Sequence, residues 1–390
     1  VSRKGKKRGP VKNRVNKVRL NLGKRSYSIY IGKGAVKKIK KFISAHFKNT
    51  PILIITNRKI FKLHGKKILS AIGSGSAHIN KAANKKFTQI SDNCWVFLAE
   101  DSEKAKSFAT YVRITDKLVE IGKRSKPLVI AFGGGVIGDL SGFVASTYRR
   151  GVPYIQVPTT LLAQVDSSIG GKVALDLPRV KNIIGSFYQP AAVFSDITLL
   201  KTLPPKEVIN GLGEIIKYGV LKGRGLFNKI YKNLSNLKKL NTSVLENVVT
   251  ECSRIKAKIV REDEFDQKDI RAALNLGHTF AHAIESTRGY SKIMTHGEAV
   301  ACGIVMAAHL AHSLKKISSP DRDKICGIIK KSGVSLKFTK QDAERIADSM
   351  NYDKKFISGK SRLVLPIAIG KVRIFENIPA KEITKSILKT

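Results

Sequence analysis

The stretch from Pro127 to Lys172 constrains the fold more than any other part of this chain. Leu128-Val129-Ile130-Ala131-Phe132 is a short, β-branched apolar run, the pattern of a buried parallel strand. Gly133, Gly135 and Gly138 then satisfy G-x-G-x-x-G ahead of a helical pattern. Glycine at such a turn lets the backbone bend tightly and approach a pyrophosphate. The helix N-terminus behind it supplies free N–H groups and a positive dipole end. Two details depart from the common dinucleotide fingerprint. The glycines come about 130 residues into the chain rather than after its first strand. Pro158-Thr159-Thr160 stands where an acidic residue would take a ribose hydroxyl, about 20 positions on. A dinucleotide site here is therefore a variant one, and a glycine-rich turn serving packing alone is the alternative.

Around that stretch the chain reads as α/β. Tyr27 to Ile31 alternates as a strand. Ile52 to Thr56 is a continuous apolar strand ending at Asn57, a usual position for a ligand-facing turn. Cys94 to Leu98 is another strand. The spacing predicts an amphipathic helix from Ser102 to Gly122, with Phe108, Tyr111, Val112, Ile114 and Leu118 on one side. Strands and helices alternate to about Asp196, which predicts a Rossmann-like parallel sheet. Leu203-Pro204-Pro205 breaks the pattern. Beyond it helical spacing recurs over 208–221, 244–260, 271–286, 298–314 and 322–332, and 361–375 reads as a small hairpin. The expected organisation is a basic disordered extension over 1–16, an α/β domain over 17–203 and a mostly helical domain over 204–390.

Composition narrows the classes. With 390 residues and 42% hydrophobic content the chain can build two cores. Cys94, Cys252, Cys302 and Cys326 lack C-x-x-C spacing, which points to free thiols in a reducing compartment. No apolar run approaches the roughly 18 residues of a membrane span, and no hydrophobic signal core follows the basic start. We therefore expect a cytoplasmic protein. Lysine and arginine outnumber aspartate and glutamate 72 to 29, a net charge of +43. This excess attracts anionic partners. Its spread along the whole chain reads as a solvated lysine-rich surface. The Arg3–Arg8 cluster is the exception, and non-specific nucleic-acid contact is the sharper reading of it.

The helical half carries the chemistry-capable residues. Glu214 and Lys217 are three apart and share a helix face, and His278 and His282 are four apart and do the same. His296 precedes another helix. A lone H-x-x-x-H pair is commonly structural, and no HExxH is present. However, five of the eight histidines fall between 278 and 312. One carboxylate with two imidazoles and an open position is the ligand set of a catalytic zinc, and Glu214, His278 and His296 could supply it. His309 and His312 lie in an apolar helical run and read as structural. Arg150, Lys172, Lys181, Lys217, Lys256, Arg271 and Lys354 are the cations in suggestive places. Lys172, behind Gly170-Gly171 and beside Asp166-Ser167-Ser168, suggests close approach to a ligand.

Taken together, GGGVIGDLSGF, YRRG, PTTLLAQVDSSIGGK, KNIIGSF, GLGEIIKYG, LNLGHTFAHAIE and HGEAV resemble the 3-dehydroquinate synthases of the shikimate pathway from about Val18 onward. The resemblance implies an NAD-binding α/β domain, a helical domain, an active site between them, a divalent metal (zinc or cobalt) and a homodimer. Carried over by motif, it implies metal ligands at Glu214, His278 and His296. It implies NAD contacts at Asp101, Ser102, Glu103, Lys106, Gly135, Val136, Ile137, Gly138, Asp139, Thr159, Thr160, Lys172, Lys181, Leu199, Leu200, Lys201 and Thr202. It implies substrate contacts at Arg150, Asp166, Lys172, Asn182, Lys217, Lys256, Arg271, Asn275, His282 and Lys354 or Lys355. The chain departs from the family in the run Val173–Asn182, in having Ser102 where glycine is usual, and in one extra residue each between Lys256 and Arg271 and between His282 and His296.

The implied reaction converts 3-deoxy-D-arabino-heptulosonate 7-phosphate to 3-dehydroquinate and phosphate. It runs by transient oxidation, phosphate elimination, reduction and an intramolecular aldol. The phosphate is assigned to Lys172, Asn182, Asn275, His282 and the Arg150 region, and the carboxylate to Arg271 with Lys256. Sister sugar-phosphate cyclases of the 2-deoxy-scyllo-inosose or valiolone type are the alternative, but their substrates lack the carboxylate that this pair would serve. A catalytically lapsed, basic nucleic-acid-binding protein is the alternative of another class.

Overall fold

The computed structural model describes residues 15–75, 82–123, 125–178, 180–287, 294–351 and 362–390. In chain order the first half contains β1 (Asn16–Leu20), β2 (Tyr27–Gly32), α1 (Ile39–His46), β3 (Ile52–Asn57), α2 (Arg58–Ile72), β4 (Phe87–Ser91) and β5 (Cys94–Ala99). Then come α3 (Phe108–Ile121), β6 (Leu128–Gly133), α4 (Gly135–Thr147), β7 (Tyr154–Pro158), β8 (Lys172–Leu177), β9 (Val180–Phe187) and β10 (Ala192–Asp196). Eight of these strands form one sheet in the order β1-β2-β10-β7-β6-β3-β5-β4. The six central strands are parallel, and β1 and β4 close the edges antiparallel. The parallel centre is the sheet expected from the sequence, and the antiparallel edge strands add to it.

Both faces of the sheet are covered, which is why its strands read as unbroken apolar runs. Along β3, Ile52 and Ile54 face one core while Leu53 and Ile55 face the other. The strand order reverses between β3, whose connection runs toward β5, and β6, whose connection runs toward β7. A doubly wound sheet opens a crevice beyond the carboxyl ends of its strands at such a point. Asn57 and the Gly133–Gly135 turn stand there.

The second half contains α5 (Pro205–Lys222), α6 (Arg224–Lys232), α7 (Leu234–Lys238), α8 (Thr242–Glu262), α9 (His278–Thr287), α10 (His296–Ser313), α11 (Ser319–Ser332), α12 (Lys340–Asn351), the hairpin β11–β12 (Arg362–Ala368, Lys371–Glu376) and α13 (Ala380–Leu388). Their core also takes in Val18, Leu20, Tyr27, Ile29 and Ile31. The first hairpin of the chain thus faces the helices. The start of α5 has a local cause: Pro205 supplies a preset φ and lacks the N–H that would otherwise lie unpaired.

Three expectations change. The helix expected from Ser102 begins only at Phe108, because the Ser107 hydroxyl caps it. Phe108 and Val112 are exposed, and the buried stripe is Thr110, Ile114, Leu118 and Ile121. The expected helix over 271–286 is split. Arg271–Asn275 is a 3-10 turn, and Gly277, at φ +78°, turns the chain before α9 starts at His278. The segment after Lys172 forms the ribbon β8–β9, which the sequence reading left without structure. Asn16 already belongs to β1, while residues 1–14 of the expected extension, and Ser361 of the expected hairpin, lie outside the described residues.

The helical half is held by glycines that let backbone meet backbone. A Cβ on Gly297 would sit 1.8 Å from the Asn210 carbonyl oxygen, one on Gly213 2.0 Å from that of Gly297, and one on Gly303 2.1 Å from that of Gly277. No side-chain rotation relieves a clash with backbone. Gly297→Ala is therefore expected to cost about 3 kcal/mol or more. The check is a lower urea midpoint at unchanged slope; an unchanged midpoint would refute the close packing.

Candidate active site

A cavity of about 1000 Å³ lies at the sheet's reversal point, between the strand ends and helices α5, α9 and α10. On the sheet side it is lined by Asn57, Asp101, Ser102, Glu103, Lys106, Gly134, Gly135, Val136, Ile137, Asp139, Thr159 and Thr160. Asp166, Lys181, Asn182 and Thr202 line it from the later part of the same half, and Glu207, Asn210, His282, Glu285 and His296 line it from the helical side.

The glycine turn divides its labour. Gly134 and Gly135 face the cavity. Gly138 faces β7 instead, where a Cβ would lie 2.9 Å from Gln156 Oε1, so this glycine serves helix-on-strand packing. Asn57 accepts the Ile60 N–H at 2.8 Å, capping α2, and donates to Asp101 Oδ1 at 2.7 Å. Lys106 is buried under a ring of acceptors: Asp139 Oδ2 at 3.0 Å, Glu103 and Asp176 at 3.5 Å, and the Asn182 amide oxygen. This lysine joins the start of α4 to the β8–β9 ribbon.

The deep end is built on Asp166, which sits in a single π-helical turn, Ala163–Ser167. Such turns recur at functional sites. Lys256 Nζ donates to Asp166 O at 2.8 Å and lies 2.9 Å from Asp166 Oδ1. The Tyr218 hydroxyl donates to the same carboxylate at 2.5 Å, and Lys217 stands 4.0 Å away. Burial opposes the carboxylate charge, but Lys256 and then Lys217 outweigh it and hold Asp166 well below the usual range. Arg271 donates to Glu264 O at 2.7 Å and approaches Gly170 O at 3.5 Å, with its Nε buried and without a hydrogen bond. Arg25, from the first hairpin of the chain, clamps Glu264 through two bonds of 2.9 and 2.7 Å.

Glu214, His278 and His296 come from α5, α9 and α10, and their ligand atoms all lie within 4.8 Å of one another. Glu214 is 1% exposed; its Oε1 faces His278 Nε2 at 3.6 Å and its Oε2 contacts the Lys217 ammonium. Neither oxygen accepts a hydrogen bond of ordinary geometry. His278 Nδ1 lies 3.2 Å from Leu276 O, which leaves Nε2 for a ligand bond. His296 Nδ1 lies 3.3 Å from Glu285 Oε2, with the same result. Burial, then the Lys217 charge, hold His278 well below its ordinary pKa and therefore neutral, as metal ligation requires. A buried carboxylate whose charge is met by Lys217, with its other oxygen facing two imidazoles whose outer nitrogens are occupied, fits a divalent metal.

Other sequence-predicted residues lie elsewhere. Leu199 and Leu200 are buried in the cores, and Lys201 is exposed. Arg150 follows the C-terminal end of α4, roughly 20 Å along that helix from Gly135. It is exposed, at φ +59°, and is not brought to this cavity. Lys172 is more than half exposed and pairs with Asp266 at 2.5 Å. Asn275 closes the 3-10 turn behind Arg271. Lys354 and Lys355 lie outside the described residues. The sequence reading missed Glu285, Glu207, Asn210 and Asp266. Glu285 had a signal, since it stands three residues after His282 on the same helix. The others become visible only through contacts across the fold.

A family model described as 3-dehydroquinate synthase N-terminal matches residues 96–210, and one described as 3-dehydroquinate synthase C-terminal matches 211–356. The chain belongs to the 3-dehydroquinate synthase family. It is 40% identical to a 3-dehydroquinate synthase of Desulforamulus reducens over 367 residues, covering 94% of this chain and 98% of that one. It is 40% identical to that of Pelotomaculum thermopropionicum over 357 residues, covering 91% of each. The fold is also that of 2-deoxy-scyllo-inosose synthase, crystallised with carbaglucose-6-phosphate, NAD+ and Co2+ (TM-score 0.82, 22% identity, 96% of this chain and 99% of that one). A 2-epi-5-epi-valiolone synthase from Streptomyces hygroscopicus subsp. jinggangensis, with NAD+ and Zn2+ bound, follows (TM-score 0.77, 20% identity, 95% and 98%).

In this member of the 3-dehydroquinate synthase family the loop carrying Arg271 hangs on Asp263. Its carboxylate accepts the N–H groups of Gln267 at 2.9 Å, Lys268 at 3.2 Å and Arg271 at 3.2 Å. Burial raises its pKa, but these N–H donors outweigh that, and the net shift is downward from 3.8. The stabilisation is therefore full above the unfolded pKa near 3.8 and is lost as pH falls through the lower folded value. Urea midpoints measured from about pH 5 downward should fall less steeply for Asp263→Asn than for the wild type. Parallel profiles would count against this role.

Proposed function

We propose that the cavity is the active site of a 3-dehydroquinate synthase that converts 3-deoxy-D-arabino-heptulosonate 7-phosphate to 3-dehydroquinate and phosphate. The observation that carries the reading is the meeting of Glu214, His278 and His296 beside a glycine turn at the strand ends, with Lys256 and Arg271 close behind Asp166. NAD would lie against Gly134–Ile137, Asp139 and Thr159–Thr160 with Lys106 and Asp101 at its far end, and zinc or cobalt would be held by Glu214, His278 and His296; when bound, they supply a reversible hydride acceptor and a Lewis acid that acidifies a substrate hydroxyl.

The protein's own residues position and neutralise. Lys256 and Arg271 suit a carboxylate, and Lys217 and Asp166 hold the deep end in a fixed charge pattern before substrate arrives. Asn182 and His282 face the same space from the ribbon and from α9 and suit the phosphate. The substrate's own phosphate can take the proton in its elimination, so no further strong base is required of the chain. We take the α/β part to run to Leu203 and the helical part to begin at Pro204. The proposed assembly is a homodimer: an exposed arginine as far from its own cavity as Arg150 could serve a cavity on a second copy. The cytoplasm is the proposed compartment; no helix among the described residues is long and apolar enough to cross a membrane.

The test is phosphate release from the heptulosonate 7-phosphate with NAD and zinc or cobalt. His278→Ala and prior chelation of the metal should each lower kcat at least about 1000-fold, and re-added zinc or cobalt should restore only the chelated wild type. Arg271→Ala should raise KM about 10-fold or more, the worth of a charged hydrogen bond. Turnover of glucose 6-phosphate or sedoheptulose 7-phosphate instead would move the chain to a sister cyclase.

A further inference from the structure

We infer that Asn210 is a positioning residue for the metal centre: its side-chain amide caps α10 from the neighbouring helix and thereby sets His296 against Glu214. The inference rests on the metal-centre reading above and adds a residue to it. Asn210, Glu214 and Lys217 stand at i, i+4 and i+7 on α5, so they share one face. That face meets the first turn of α10, where His296 is the first helical residue and Gly297 the second.

The first N–H groups of a helix have no partner within it. The α10 start solves this with two side chains. Thr295 and Glu298 form a capping box, with Glu298 N–H on Thr295 Oγ1 and Thr295 N–H on Glu298 Oε2. The Gly297 N–H lies outside that box, and it donates to Asn210 Oδ1 at 2.8 Å. The amide cannot turn over, because its Nδ2 donates to Glu207 Oε2 at 2.9 Å. Asn210 is 8% exposed, and the Gly213 and Gly297 backbones are in direct contact beside it. One hydrogen-bonded triad, Glu207–Asn210–Gly297, therefore ties the helix that offers Glu214 to the residue following His296. His296 is the most exposed of the three ligands, with its side chain 35% accessible, and needs such a constraint most.

A residue that orients a ligand is worth about 10–100-fold in metal affinity. The experiment measures zinc affinity of the full chain by competition with a chromophoric chelator, with melting of the metal-free protein followed alongside. Asn210→Ala should weaken zinc about 10–100-fold while the metal-free protein melts cooperatively. The double variant Glu207→Gln with Asn210→Asp keeps a side-chain oxygen at 210 for the Gly297 N–H and reverses only the bond between positions 207 and 210, and it should return affinity to within about threefold of the wild type, a small fraction of that loss. Affinity in Asn210→Ala within about twofold of the wild type would overturn the inference, since it falls outside the orienting range. So would a double variant that folds but binds as poorly as Asn210→Ala, and this arm decides the matter if the alanine variant does not fold. Zinc affinity left unchanged by His278→Ala would overturn the metal-centre reading itself, an outcome distinct from failure of the clamp alone.

Discussion

The backbone contact of α5 with α10, and of α10 with the turn before α9, is the constraint on which the site depends. Gly213 meets Gly297, and Gly277 meets Gly303, at separations that no Cβ would allow. Glutamate and histidine are short side chains. Three of them from three helices can converge on one point only where the helices carrying them are nearly touching. The glycines thus set the spacing, and the Asn210 amide and the Thr295–Glu298 box set the rotation of α10 about that contact.

Close packing raises an electrostatic problem, and the solution shapes the rest of the cleft. Glu214 is a fully buried carboxylate and Asp166 a partly buried one, and burying such a charge without a partner is costly. Lys217 lies between them and Lys256 closes the far side. The outcome is a fixed pattern of charge that needs no reorganisation when an anionic substrate enters. The same principle works at the other end of the cavity, where Lys106 gathers Asp139, Glu103 and Asp176. In a chain of net charge +43, acidic side chains are scarce, and several of them are spent on holding these lysines in place.

Much of this was legible in the sequence. The strand before Gly133 could be nothing but buried, because both of its faces are apolar. The glycine turn after it was legible as a strand-to-helix turn, while its service to a cavity at Gly134 and Gly135 and to packing at Gly138 was not. Glu214 with Lys217 and His278 with His282 were visible as helix-face pairs because their spacing matches the helical period. The α3 stripe was misread because Phe108 and Val112 keep that period while facing outward, and periodicity alone does not say which face is covered. The break at Gly277 was missed because the apolar spacing continues across it while the backbone does not.

The sequence by itself determined the central parallel strands, most of the helices and the residue types available for chemistry, since each follows from local pattern: runs that must be buried and spacings that share a face. Only the tertiary structure decided which of those residues meet. Asn210 lies 87 positions from Gly297, and Arg25 lies 239 positions from Glu264. Contacts at such separations depend on how whole helices and strands pack against one another. No local pattern encodes that distance, because it is the sum of every contact between them.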